Sequence, residues 1–347
     1  MRTEGLHHHD TNLRASTRVG VGRAAQGVIE MTDHLPDDGR RRQRRRVRWR
    51  TAVIVGAIIA TMWLTGCMER LFYQPTREPT PAPRSAYPQA EVVRFESADG
   101  TRLCGWFLPS RTTPRAEAAT IVHVHGNAGS MASHLFFVEN LPAEGFNVLL
   151  FDYRGYGESD GSPWKRGPLI EDAQAAVRTA RTLPGVDPGR LALFGQSLGG
   201  GIATIVMASD PDIRSAVLES PLASWRDVAA SALGGDPPGW WARSLATWLI
   251  ADGGSSPRPI DAIASIDRPI LILHGDADEV IPVSQGKRLA QAAPNAELLI
   301  LPGGRHNTLQ STHPEVRRAI VEFLRRTTAR EAPVAGEGVP SGEGRSH

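Results

Sequence analysis

Cysteine is almost absent from this 347-residue chain, with only Cys67 and Cys104. Two cysteines that far apart supply neither a disulfide framework nor the clustered spacing of a zinc site. Cys104 lies in the apolar run LCGWF at 103–107 and reads as a buried strand residue. No apolar run reaches the roughly 20 residues that a membrane span requires; the stretch at 51–64 has fourteen. Net positive charge is missing from the body of the chain. Residues 1–66 hold 12 Arg against 6 Asp or Glu, a net of +6, which leaves −4 of the whole-chain +2 for everything after them. No basic surface remains there, so nucleic acid is excluded as a partner.

Among what is present, residues 191–201, reading LALFGQSLGGG, organise the rest. Four residues of strand character run into a G-x-S-x-G turn, and the helical pattern IATIVMA follows at 202–208. A serine at such a strand-to-helix elbow sits in strained backbone, and the glycines two before and two after it, Gly195 and Gly199, leave room for the close approach. The helix beyond aims its unpaired N–H groups at any oxyanion formed beside the serine. Ser197 is therefore the candidate nucleophile. The second G-x-S-x-G match, 157–161, follows a polar loop and leads into no helix, so Ser159 is read as a loop serine.

Taken in order, residues 1–39 lack periodicity and read as disordered, with Met31 a second candidate start and His7, His8 and His9 a solvated tract. The glycine pattern at 20–25 has no strand before it and no βαβ unit after it, so it is not a dinucleotide site. Eight arginines between 40 and 50, followed by the apolar stretch 51–64, make a signal or anchor segment. The sequence Leu64-Thr65-Gly66-Cys67 at its end resembles the lipobox of bacterial lipoproteins, which implies cleavage before Cys67, lipidation of Cys67 and an exported, membrane-anchored envelope protein; the alternative is an uncleaved N-terminal anchor. Five prolines between 75 and 88 suggest an extended tether, assigned to residues 67–90.

The globular domain is expected at residues 91–328. Asp99-Gly100 between two strand-like runs is hairpin chemistry. Apolar runs at 120–124, 147–151, 191–194, 216–218, 269–273 and 297–301 then alternate with helical patterns, which predicts an α/β fold with a mostly parallel central sheet and helices on both faces. Residues 225–268, with Trp225, Trp240, Trp241 and Trp248, break the alternation and suggest a small helical cap whose tryptophans are mostly buried, one or two lining an acyl site. The Gly, Pro and Glu-rich tail, 329–347, reads as disordered.

A serine hydroxyl needs a histidine base, and the histidine a carboxylate partner. After the run 269–273 come Asp276 and Asp278; directly after the last run comes His306, with His123, His125, His134, His274 and His313 as competing bases, of which His123, His125 and His274 read as structural, hydrogen-bonding histidines. Asp278, Asp276 and Glu219 stand as candidate acids. The motifs HGNAG at 125–129, DYRGYGES at 152–159, GQSLG at 195–199 and HGDAD at 274–278 together resemble the α/β-hydrolase superfamily, in its abhydrolase and serine-aminopeptidase-like branch, over residues 90–327. The resemblance implies Asp278 as the acid, from the pattern H-G-x-x-D-x-x-[VI]-P, and Asn127 with Leu198 as the backbone donors of an oxyanion hole. It implies a serine hydrolase without a cofactor or metal, acting on a small acyl substrate, an ester or thioester, through an acyl-enzyme. A peptidase is the alternative within the family, and a non-catalytic envelope binding protein the alternative outside enzymes.

Overall fold

The computed structural model describes residues 37–64, 73–250 and 257–330. Cys67, the ends of the signal segment, part of the cap and the tail after 330 lie outside them. Helix α1, Asp37–Leu64, carries the arginine run and the apolar stretch on one continuous element. Among the described residues no helix is long and apolar enough to cross a membrane.

Eight strands form one sheet: β1 (Glu91–Glu96), β2 (Arg102–Leu108), β3 (Thr120–Val124), β4 (Asn147–Phe151), β5 (Leu191–Gln196), β6 (Ile213–Glu219), β7 (Ile270–Gly275) and β8 (Ala296–Leu301). Their order across the sheet is β8-β7-β6-β5-β3-β4-β2-β1. Strands β3 to β8 run parallel, and the β1–β2 hairpin joins antiparallel along β4. Central strands β3, β4 and β5 are buried along their whole length, which is why they read as continuous apolar runs rather than alternating ones.

Helices cover both faces. On one side, α3 (Arg166–Thr182) buries Leu169, Ala173 and Val177, and α4 (Leu198–Ser209) buries Ile202 and Val206. Short α2 (Met131–His134) buries Met131 in the cluster on the other side. The cap contributes α5 (Trp225–Gly234) and α6 (Trp240–Leu249), followed by α7 (Pro259–Ile263); then come α8 (Val283–Ala292) and α9 (Leu309–Thr312). Helix α10 (Pro314–Thr327) closes the second face through Val316, Ile320, Phe323 and Leu324.

Two expectations change. The proline-rich stretch is not a free spacer: Tyr73 is buried, Gln74 and Pro75 pair in parallel with Ala128 and Gly129, and Ala82 and Tyr87 pack on the core. Proline lacks one backbone donor, but its extended φ suits a short edge strand, so the same residues that signal a spacer also dock against a loop. Residues 73–90 thus belong to the body with the domain that follows rather than to a separate tether. Of the four cap tryptophans only Trp225 is buried, under the guanidinium of Arg166 at 4.9 Å; the other three face solvent.

Candidate active site

Ser197 stands between β5 and α4 with φ 56° and ψ −118°, a left-handed conformation that costs about 1–3 kcal/mol for a residue bearing a Cβ. The turn is held from below by the Ser197 amide donating to the Glu219 carbonyl at 2.9 Å. It also requires its glycines. A Cβ on Gly199 would lie 1.9 Å from the Val124 carbonyl oxygen, and one on Gly195 would lie 2.6 Å from the Gly199 carbonyl oxygen. Neither neighbour is a side chain that can swing away.

His306 reaches Ser197 from the loop after β8. Its Nε2 lies 2.9 Å from Ser197 Oγ, and its Nδ1 lies 2.8 and 3.0 Å from the two carboxylate oxygens of Asp278. The carboxylate only accepts, so Nδ1 carries the ring proton and Nε2 is left as acceptor for the serine O–H. Asp278 follows β7, where the Val280 and Ile281 amides donate to its Oδ1 at 2.9 and 2.8 Å, and His274 Nε2 stands 3.4 Å from its Oδ2. Burial opposes the charge on Asp278, but the hydrogen bonds from His274, His306 and the Ile281 amide outweigh it and hold the carboxyl well below the usual range.

The structure therefore brings Ser197, Asp278 and His306 together at the carboxyl edge of the sheet. It does not bring in the other candidate acids. Asp276 accepts from the Gly303 amide at 2.6 Å and braces the histidine loop. Glu219 is fully buried and takes the Gln310 side-chain amide at 2.8 Å; burial pushes its carboxyl up to about 7. Among the described residues no other histidine hydrogen-bonds Ser197 Oγ, whose partner is His306. Burial drives His123 and His125 well below the ordinary imidazole value, and His134 is lowered by burial and by the nearby His306. His123, expected to hydrogen-bond, instead packs between Phe137 and Phe194 with both ring nitrogens unpaired. His313 bonds Pro302 O, and Ser159 is a buried loop residue joining the Cys104 amide to the Asp152 carbonyl.

Leu198, the first residue of α4, presents an N1 amide, which has no partner inside its own helix. Asn127 lies in the loop after β3, with its Oδ1 accepting from Tyr156 Oη at 3.1 Å and from the Gln74 amide at 3.3 Å. Sequence reasoning missed a second link across the site: Gln196 Nε2 donates to Asn307 Oδ1 at 3.1 Å, joining the residue before Ser197 to the residue after His306. Only their adjacency to Ser197 and His306 signalled them. A Cβ on Gly126 would lie 2.1 Å from Gln196 Oε1, so the post-β3 loop packs against the same amide. Two concavities lie away from this site, one of about 400 Å³ beside Arg94, Arg102 and Glu158, another of about 660 Å³ beside Arg214 and Arg268.

The fold and these motifs have known counterparts. The family model described as serine aminopeptidase, S33, matches residues 115–252, and that of a TAP-like protein matches 241–334. YfhR of Escherichia coli K12, described as uncharacterized, is 40% identical over 241 residues, covering 68% of this chain and 80% of the relative. WAV2 of Arabidopsis thaliana, described as an α/β-hydrolase domain-containing protein, is 32% identical over 269 residues, covering 70% and 82%. The esterase Pf2001 of Pyrococcus furiosus shares the fold with a TM-score of 0.60 at 23% identity, covering 74% of this chain and 98% of its own. On its eight-stranded sheet, its elbow and these relatives, the chain belongs to the α/β-hydrolase superfamily.

Proposed function

We propose that this hydrolase cleaves an ester or thioester by transferring the acyl group to Ser197. One observation carries the reading: the unbroken hydrogen-bond chain from Ser197 Oγ through the His306 ring to Asp278, with Ser197 on a strained elbow at a helix N-terminus. His306 Nε2 accepts the serine proton as Oγ attacks the carbonyl carbon, and Asp278 stabilises the imidazolium. The oxyanion forms against the amides of Leu198 and Asn127, donors of a kind each worth about 10²–10³ in rate. The imidazolium then protonates the leaving group, and water, activated by the same ring, releases the acid. Asn127 acts through its backbone amide, while Tyr156 and Gln74 hold its side chain in place by donating to its oxygen.

In this reading the enzyme is tethered to a membrane either by Cys67, lipidated after cleavage before it, or by the uncleaved segment at 40–64. The serine aminopeptidase match keeps a peptidase as the second reading. The test is a panel of p-nitrophenyl esters of increasing acyl length, acyl thioesters and aminoacyl anilides with the full chain and Ser197→Ala. Ester or thioester turnover that Ser197→Ala abolishes is expected. Preference for the anilides gives the peptidase, and no turnover by a folded parent gives a binding protein.

A further inference from the structure

Two features are unused by the chemistry, and both point to the same partner. The first is where the chain enters the body. Gln74 and Pro75 pair with Ala128 and Gly129, the Thr76 amide donates to Gly129 O at 2.8 Å, and the Gly157 amide donates to Thr76 O at 2.8 Å. The entry segment is thus fixed directly beside Asn127. Cys67 is six residues before Tyr73, so at full extension it reaches no more than about 20 Å from the body. The apolar stretch ending at Leu64 is nine residues before Tyr73, a reach of about 30 Å. Either anchor, the lipidated cysteine or the uncleaved segment, keeps the post-β3 loop within that distance of a bilayer.

The second feature is α6, the second helix of the cap that the chain enters through α5 after the carboxyl end of β6. A helix normally turns its large apolar residues inward. This one buries Ala242 and Ala246 and exposes Trp240 (81%), Trp241 (48%), Leu245 (38%) and Trp248 (45%). At 100° per residue, these four lie within one arc of about 140°. Residues 237–249 contain no acidic side chain, and Arg243 is their one charge. Indole rings, with an apolar body and one N–H donor, are the side chains best suited to the headgroup region of a bilayer, and an apolar arc without carboxylates can approach anionic lipid without repulsion.

We propose that the catalytic edge docks on a phospholipid bilayer, with Trp240, Trp241, Leu245 and Trp248 of α6 seated in the headgroup region and the short link before Tyr73 holding the body down. Docking stands independently of the acyl-transfer reading. Its consequence, that the acyl substrate is taken from the membrane, rests on that reading.

The test places an environment-sensitive nitrobenzoxadiazole on Leu245→Cys in the full chain, with the parent chain labelled identically as background for Cys67 and Cys104. On vesicles of phosphatidylethanolamine and phosphatidylglycerol, the emission shifts to the blue and is quenched by lipid bearing a nitroxide near its headgroup. The variant Trp240→Ser/Trp241→Ser/Trp248→Ser loses about tenfold in turnover of a long-chain ester carried in the vesicles while hydrolysing p-nitrophenyl acetate within about twofold of the parent. A probe that stays water-like while the chain floats with the vesicles overturns the proposal. So does a blue shift that needs high protein concentration and no lipid, which assigns the face to a second copy. A responding probe with no turnover of either ester supports docking and refutes the acyl-transfer reading alone.

Discussion

Replacing Asp278 by Asn changes one atom, and the backbone decides what that atom does. The Val280 and Ile281 amides, at 2.9 and 2.8 Å from Oδ1, both donate, so the new side chain keeps its oxygen there and turns its NH2 toward the Oδ2 site. That site faces His306 Nδ1 at 2.8 Å. Two donors cannot share the contact, so the ring shifts its proton to Nε2, opposite Ser197 Oγ at 2.9 Å, and can no longer accept the serine proton. Loss of both the tautomer and the charge that stabilises the imidazolium is worth about 10⁴ in kcat, or about 5 kcal/mol. Steady-state turnover of a p-nitrophenyl ester measures it, with Asp276→Asn as control. Asp276 only accepts the Gly303 amide, and an asparagine oxygen serves as well, so the control falls by no more than about threefold. Asp278→Asn within tenfold of the parent, or the control as slow as Asp278→Asn, refutes the assignment of the acid.

Further outcomes follow from the same contacts. Glu219, raised to about 7 by burial, keeps its proton in the folded state after the unfolded chain has lost it; its stabilising contribution is full below about pH 4.5 and drains away as pH rises toward 7. Glu219→Gln therefore gains on the parent by a few kcal/mol between pH 5 and 8, read as a melting-temperature difference that widens with pH. The Gln196–Asn307 link predicts that Gln196→Met and Asn307→Ala each lower kcat about tenfold with KM nearly unchanged, and that the double variant falls no further than either single one. Arg154 is buried and bonds Asp172 at 2.7 Å and Asp99 at 2.6 Å, so Arg154→Met strands the fully buried Asp172 and costs about 3–5 kcal/mol in urea unfolding, much of it recovered by adding Asp172→Leu.

The parts of this molecule legible in the sequence are those where local pattern and burial agree. Strands β3 and β4 coincide with their apolar runs because both faces are covered, and the elbow is legible because Gly195 and Gly199 are dictated by backbone approaches that tolerate no side chain. Spacing and chain order also point to His306 and to the loop holding Asp278. The pairing of Gln74 and Pro75 with Ala128 and Gly129 is not legible, since prolines favour the same extended backbone whether free or docked. Nor is the outward face of α6: tryptophan is usually buried, and nothing in WWARSLATWL says that the small alanines face inward. Arg154 explains the DYRG motif as a buried ion network, a role its position in a polar loop does not suggest.

The account depends on Ser197 being a nucleophile, and covalent capture tests that most directly. The full chain treated with a fluorophosphonate, digested and sequenced by mass spectrometry should carry the adduct on the peptide containing Ser197, with labelling lost in Ser197→Ala and slowed strongly in His306→Ala. An unlabelled but folded parent, or an adduct that persists in Ser197→Ala, contradicts it.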